Sequence, residues 1–340
     1  MNNDLNRRDF LKAATLGAAF PAALASGAAP SEKDLALAET IPVRTFGGTG
    51  VKLPVLAYGG AALPKEWHNP LSREDRVRLV RYGYERGLRY FDTAGNYMES
   101  QSILGEALEP LRNKVWLATK TETTNPADVR RQVERCLKEL RTDYLDLVQI
   151  HGTPGLQQMS VERAMAVHAE LVKLRDERII RFVGVTAHGY FDKALALIKS
   201  GGFDQCMLAY GFLPRGHDQV FSPRTIGLRE KCLAAAHKRN MGIVAMKVIG
   251  AGLLGAWSGH VVPRFDKKRL SGLPGAAIRH VLRDKRVHML CIGMRLKREI
   301  DDNIRILAGN TTFTDADRVL LAEFGPQVRR SEAMAKMKVE

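Results

Sequence analysis

Eight short apolar runs, separated by longer amphipathic stretches, constrain the fold of this chain more than any other feature. They are Val55 to Tyr58, Arg89 to Asp92, Val115 to Thr119, Leu145 to Ile150, Arg181 to Val185, Gln205 to Ala209, Ile243 to Met246 and Met289 to Ile292. A short, continuous apolar run reads as a strand covered on both faces. Helices between the runs supply that cover, so the sheet is expected to be parallel. Eight repeats favour closure into a barrel. An open sheet calls instead for a glycine-rich turn that follows the first strand and opens a helix. Tyr58-Gly59-Gly60-Ala61-Ala62 does not lead into one, because Pro64 and Pro70 interrupt the residues that follow. The expected fold is α/β, a (β/α)8 TIM barrel.

The intervening segments carry helix signals. Val129, Val133, Cys136, Leu137 and Leu140 fall on one face at helical spacing. Ser72 with Asp75 three residues on, and Asn125 ahead of Pro126, are expected caps. Before the first run, Arg44 to Leu53 reads as a hairpin whose glycine-rich turn supplies positive φ. No Pro/Gly/Ser-rich or charge-dense linker divides the 340 residues. One large domain over 41–325 is expected, with 326–340 as a C-terminal tail.

The net charge of +15 spreads along the chain, and the basic residues are interspersed with 37 acids. That pattern argues against a nucleic-acid partner, which would call for basic clusters interleaved with aromatics. Cys136, Cys206, Cys232 and Cys291 lie in apolar or helical patterns without C-x-x-C spacing and are expected to be buried thiols. The histidines show no H-x-H or H-E-x-x-H ligand spacing, so no metal site is expected and a metal-dependent barrel hydrolase is a distant reading.

Asn6-Arg7-Arg8-Asp9-Phe10-Leu11-Lys12, followed by the small apolar residues from Ala13 to Ala25, resembles a twin-arginine signal peptide with an Ala-x-Ala cleavage site. The apolar stretch falls short of the ~20 residues a transmembrane helix needs, and nothing later in the chain supplies a span. Residues 1–30 are expected to be cleaved or disordered. The twin-arginine (Tat) export machinery is then a partner and the periplasm the destination.

Three of the apolar runs lead directly into an ionisable residue: Asp92, Lys120 and His151. In an α/β barrel the carboxyl ends of the strands form the active-site rim. Tyr97, five residues beyond Asp92, completes a set of acid, phenol, amine and imidazole. Reducing a carbonyl by hydride needs a proton donor aimed at the oxygen, and a phenol of pKa about 10 is a poor one at neutral pH. A nearby ammonium favours the phenolate, and a carboxylate keeps that ammonium charged and oriented. Tyr97, Lys120 and Asp92 can play those three parts, with His151 orienting the carbonyl or sharing the proton. Singly, each has an ordinary reading as a loop cap, a solvated charge, a rim aromatic or a core histidine. The ordered set is what points to chemistry.

These residues sit in segments that resemble the aldo-keto reductase family: Phe91-Asp92-Thr93-Ala94-Gly95-Asn96-Tyr97, Leu104 to Leu108, Ala118-Thr119-Lys120, Leu140 to Leu147 and Gln149-Ile150-His151. The likeness extends from about Ile41 to about Leu307. It implies a barrel closed underneath by the hairpin and a Tyr97-His151-Lys120-Asp92 tetrad. It also implies NADP(H), with NAD as an alternative, lying across the rim. The residues expected to hold that cofactor are Thr186 and His188 after the fifth barrel strand, Lys247, Gly250 and Gly252 after the seventh, and Gly293, Arg295 and Asn303 after the eighth. Ala187, Met207 and Met246 replace the residues with which relatives usually grip or stack the nicotinamide. Trp67, Phe212 and Trp257 are expected around the substrate pocket. The resemblance implies an NADP(H)-dependent oxidoreductase that interconverts aldehydes or ketones and alcohols, with Tyr97 as general acid. A cofactor-binding sensor or accessory subunit with little turnover is the alternative.

Overall fold

The computed structural model describes residues 41–335 and 337–339, so the expected signal peptide lies outside the described residues. A hairpin of β1 (Val43–Thr45) and β2 (Lys52–Pro54) comes first. Eight barrel strands follow: β3 (Leu56–Gly59), β4 (Tyr90–Asp92), β5 (Trp116–Thr121), β6 (Leu145–Ile150), β7 (Ile180–Ala187), β8 (Gln205–Ala209), β10 (Gly242–Met246) and β11 (Met289–Ile292). They close in the order β10-β11-β3-β4-β5-β6-β7-β8, every pair parallel. The expected (β/α)8 TIM barrel is therefore the fold, and each strand lies within two residues of its apolar run. All six residues of β5 and of β6 are buried, as strands covered by helices outside and by the packed barrel interior inside must be.

The hairpin sits under the barrel. Its Phe46 packs edge-on against Tyr90 at 6.0 Å and Trp116 at 5.9 Å, which fills the bottom of the interior. The turn has the left-handed backbone expected of its glycines, with φ of 53° at Gly47 and 72° at Gly50. Burying one large aromatic in this way stabilises the closure by ~1.5–3 kcal/mol.

The helices alternate with the strands: α1 (Arg73–Glu85), α2 (Ser100–Leu108), α3 (Val129–Glu139), α4 (Val161–Asp176), α5 (Phe191–Ser200), α6 (Pro223–Lys238), α7 (Leu273–Leu282), α8 (Lys297–Ala308) and α9 (Asp315–Arg329). Ser72 caps α1 as expected, accepting the Asp75 backbone N–H at 3.1 Å. Asn125 does not cap α3. Pro126–Asp128 forms a separate 3-10 turn, and the Asn125 amide donates to the Asp128 carboxylate at 3.2 Å instead. The stripe at Val129, Val133, Cys136 and Leu137 is buried.

The excursion after β10 does not return directly to the barrel. Leu253, Leu254, Phe265, Leu273, Leu321 and Phe324 form a second apolar cluster between that excursion, α7 and α9. The residues set apart as a tail by sequence pattern join this layer. Position 326 falls inside α9, and β12 (Lys338–Val339) pairs with β9 (Gln219–Val220). The tail thus braces the loop between β8 and α6. Among the described residues, no helix is long and apolar enough to cross a membrane, and no group of three His, Cys, Asp or Glu side chains is placed to hold a metal ion.

Candidate active site

Closure brings the carboxyl ends of β4, β5 and β6 side by side, because β4 pairs with β5 and β5 with β6. Asp92 ends β4, Lys120 lies one residue before the end of β5, and His151 follows β6 directly. The Lys120 ammonium bonds the Asp92 carboxylate at 2.6 Å and the Thr93 carbonyl at 2.6 Å. It also lies 4.8 Å from the centre of the Tyr97 ring. The Tyr97 and His151 rings meet edge to face at 5.6 Å. All four expected catalytic side chains are thereby brought together.

A buried polar chain beneath them has no counterpart in the sequence reading. Tyr90 donates to Gln205 at 2.6 Å, Gln205 to Gln149 at 2.8 Å and Gln149 to the second Asp92 oxygen at 3.0 Å. Every member is buried. With Lys120 on one oxygen and Gln149 on the other, the Asp92 carboxylate is held in one orientation, which is how buried polar groups hold a shape. Gln149 and Gln205 stand out in the sequence only as amides within otherwise apolar runs.

Burial sets the protonation of the four. It raises the Tyr97 phenol above its ordinary value, and Lys120 only partly offsets that rise, so Tyr97 is a protonated phenol at neutral pH. The expected net lowering by the ammonium is overridden by desolvation. For Lys120, burial alone would favour loss of the proton, but Asp92 and then Tyr97 hold it charged, above the usual lysine value. Burial likewise pushes the Asp92 carboxyl up, against the pull of Lys120 and Gln149. With the ammonium bonded directly to it, the pair is an ion pair. His151 falls well below its ordinary value through burial and the nearby Lys120, so it is a neutral imidazole, and its Nδ1 has no hydrogen-bond partner among the described residues.

Beside this centre runs a cleft of about 510 Å³. It is lined by Asp92 and Tyr97 of the acid-base centre, by Met207, Met246 and Cys291 from β8, β10 and β11, and by Gly293, Arg295, Arg298 and Asn303 from the segment after β11 and from α8. Of the expected cofactor residues, His188, Lys247, Gly252, Gly293, Arg295 and Asn303 line it. Two do not. A Cβ on Gly250 would come within 2.7 Å of Leu213, so this glycine serves a close approach of two loops. Thr186 points inward: its hydroxyl accepts the Gly152 N–H at 2.6 Å and donates to the Ile150 carbonyl at 3.4 Å. It pins the backbone on either side of His151.

Thr186→Val should therefore leave the Gly152 N–H buried and unpaired, at a cost of ~1–3 kcal/mol in unfolding free energy. Thermal unfolding of the ligand-free protein measures this. An unchanged melting temperature with weakened nucleotide binding would return Thr186 to the cofactor set.

Of the expected substrate-pocket aromatics, Trp67 packs on Tyr97 at 5.2 Å, and Trp257 lies 5.1 Å from the Arg295 guanidinium. Arg295 also donates to the Trp67 carbonyl at 3.1 Å, which joins the two tryptophan loops across the mouth. Phe212 belongs elsewhere. It packs against His280 at 5.4 Å and against Gly325 of α9, in the second apolar layer. The layer built by α7 and α9 draws it away, and the sequence held no sign of that layer.

The profile of the Aldo/keto reductase family matches residues 55–321. An aldo-keto reductase from Bacillus halodurans, solved in its holo form, superposes with a TM-score of 0.66 at 18% identity, covering 84% of this chain and 96% of that one. Methylglyoxal reductase YeaE of Escherichia coli is 39% identical over 161 residues, which is 46% of this chain and 53% of the relative. L-galactose dehydrogenase of Arabidopsis thaliana is 30% identical over 159 residues, 43% of this chain and 48% of the relative. The chain spans about half the length of these curated relatives. With the family profile running from β3 into α9 over a closed parallel barrel, the chain belongs to the aldo/keto reductase family of oxidoreductases.

Proposed function

We propose that this protein is an NADP(H)-dependent oxidoreductase that interconverts aldehydes or ketones and alcohols, with Tyr97 as the general acid. The observation that carries the reading is a protonated phenol, lining the cleft, held against a charged Lys120 that makes two hydrogen bonds and against a neutral His151. The cleft suits an extended nucleotide. Gly252 leaves room for close approach of a ligand, Met207 and Met246 offer soft apolar contact for a flat ring, and Asn303 is a buried amide in the lining, while Gly293 lines the cleft but is held close against Ala62. Arg295 and Arg298 also line the cleft and are suited to a ribose phosphate. A bound nicotinamide nucleotide supplies the hydride.

The remaining chemistry belongs to the chain. His151 orients the carbonyl oxygen through a neutral N–H. Tyr97 transfers its proton to that oxygen as negative charge develops there, and the adjacent Lys120 ammonium stabilises the phenolate left behind. Asp92, fixed by Gln149, holds Lys120 at its station. In the alcohol-oxidising direction the same groups run in reverse.

Fluorescence titration should give tighter binding of NADPH than of NADH, by about tenfold or more for one charge-assisted phosphate contact. An aldehyde panel with NADPH should show turnover. Tighter NADH binding would sink the nucleotide preference, and nucleotide binding without turnover on any aldehyde would favour the sensor reading. We also propose export by the twin-arginine route on the strength of Arg7-Arg8 and the stretch after them. Fractionated cells should then show periplasmic protein that an Arg7→Lys/Arg8→Lys variant lacks.

A further inference from the structure

One wall of the cleft carries cationic and nitrogen groups that the acid-base centre does not use. The ring sequence Tyr97, His151, His188, His217 continues outward from the centre at spacings of 5.6, 6.0 and 6.0 Å. The His188 Nδ1 is buried without a hydrogen-bond partner among the described residues. Lys247 lines the cleft beside it and makes no ion pair among the described residues. The carboxylates that line the cleft are Asp92, Glu299 and Asp302, and each is already engaged. Asp92 holds Lys120 at 2.6 Å, Glu299 accepts the backbone N–H of Arg295 at 2.5 Å, and Asp302 pairs with Arg305 at 2.5 Å. No acid of the cleft is left for Lys247.

The wall is rigid. Lys247 sits at φ 59°, a left-handed conformation that a non-glycine residue keeps only when its surroundings impose it. A Cβ on Gly211 would lie 2.5 Å from the Lys247 carbonyl oxygen, and one on Gly216 would lie 2.1 Å from the His188 carbonyl oxygen. The loop bearing Arg215 and His217 therefore packs directly on the backbone of both wall residues. Pairing of β12 with β9 and a bond from the Lys338 N–H to the Asp218 carbonyl at 2.8 Å hold the loop from outside. An unpaired cation in such a setting is costly unless an anion joins it.

We propose that Lys247, His188 and His217 form a subsite for an anionic group of the substrate. The enzyme then prefers carbonyl compounds that carry a carboxylate or a phosphate within reach of the carbonyl. This rests on the proposed function, since the subsite is defined relative to Tyr97 and His151. Burial, with Arg215 second, draws the Lys247 ammonium down to about 8, so its charge titrates in an accessible range. The groups facing it are Arg215 and His217 from the loop and His188 after β7; Lys120 and Asp92 lie beyond His188, toward the acid-base centre.

The test compares kcat/KM for 4-carboxybenzaldehyde with that for its neutral methyl ester, and for glyceraldehyde 3-phosphate with that for glyceraldehyde, using NADPH and the full chain. An advantage of about tenfold or more for an anionic member is expected, as for one charge-assisted hydrogen bond, and whichever pair shows it identifies the anion. Lys247→Met should collapse that ratio toward one. His217→Ala, at an exposed position, should reduce it severalfold and serves if the lysine variant misfolds. As pH rises past about 8, KM for the anionic aldehyde should climb while KM for the neutral one holds. Equal kcat/KM within both pairs in the wild type would overturn the proposal. So would a Lys247→Met variant that binds NADPH far more weakly yet keeps its preference, because the anion held would then be the nucleotide's. Turnover of the neutral aldehydes by the wild type tests the proposed function separately.

Discussion

Tyr97→Phe is expected to lower kcat by about a thousandfold while leaving nucleotide affinity unchanged. The substitution removes one oxygen and keeps the ring that packs on Trp67 at 5.2 Å and on His151 at 5.6 Å. Shape is conserved and the proton is lost. No neighbour can take its place. Lys120 is committed to Asp92 and Thr93, and His151 is neutral, with a ring nitrogen far less acidic than a phenol. Steady-state kinetics with an aldehyde, paired with fluorescence titration of NADPH, measures both quantities. A variant with wild-type turnover would remove Tyr97 from the mechanism, and one that no longer bound nucleotide would recast it as a binding residue.

Lys120→Met should cost ~3–5 kcal/mol of stability and abolish turnover. It deletes one partner of a buried ion pair and leaves Asp92 charged, with a single bond from Gln149 and no cation. A second change, Asp92→Asn, removes the stranded charge, so the double variant should regain much of the lost melting temperature without regaining activity. That pattern separates the two roles of the pair: stability follows charge balance, whereas catalysis follows the ammonium beside Tyr97. Urea or thermal unfolding of the two single variants and the double gives the coupling directly. Additive losses would mean that Asp92 and Lys120 do not act as a unit. Burial holds the Asp92 carboxyl above its ordinary value, so the folded state binds that proton more readily than the unfolded chain does, and the stability this group contributes is lost as pH rises through the raised value.

The eight strands, their parallel pairing and the closure of the barrel were legible in the chain because continuous apolar runs and amphipathic helices are local signals, set by what each segment must bury. The three ionisable residues at strand ends were legible for the same reason: a charge that terminates an apolar run has to lie where the strand leaves the core. Phe212 and Gly250 fall outside the cleft lining because their partners, His280 and Leu213, come from other elements of the chain, and a packing layer made by α7 and α9 carries no periodicity of its own. Thr186 read as a ligand donor because a hydroxyl after a strand can face either way. Which way it faces depends on the Gly152 N–H, which β6 delivers beside it.

Alone, then, the sequence determined the barrel and which residue types reach its rim, since both follow from the pattern of burial along the chain. Tertiary structure decided the charge states and the partners. The polar chain from Tyr90 to Asp92, the rise of the Tyr97 phenol despite a nearby ammonium, and the unpaired Lys247 wall each depend on which side chains from separate strands face one another, and on how far closure excludes water from them. Desolvation and contact across the barrel are properties of the assembled interior, so no local stretch of sequence encodes them.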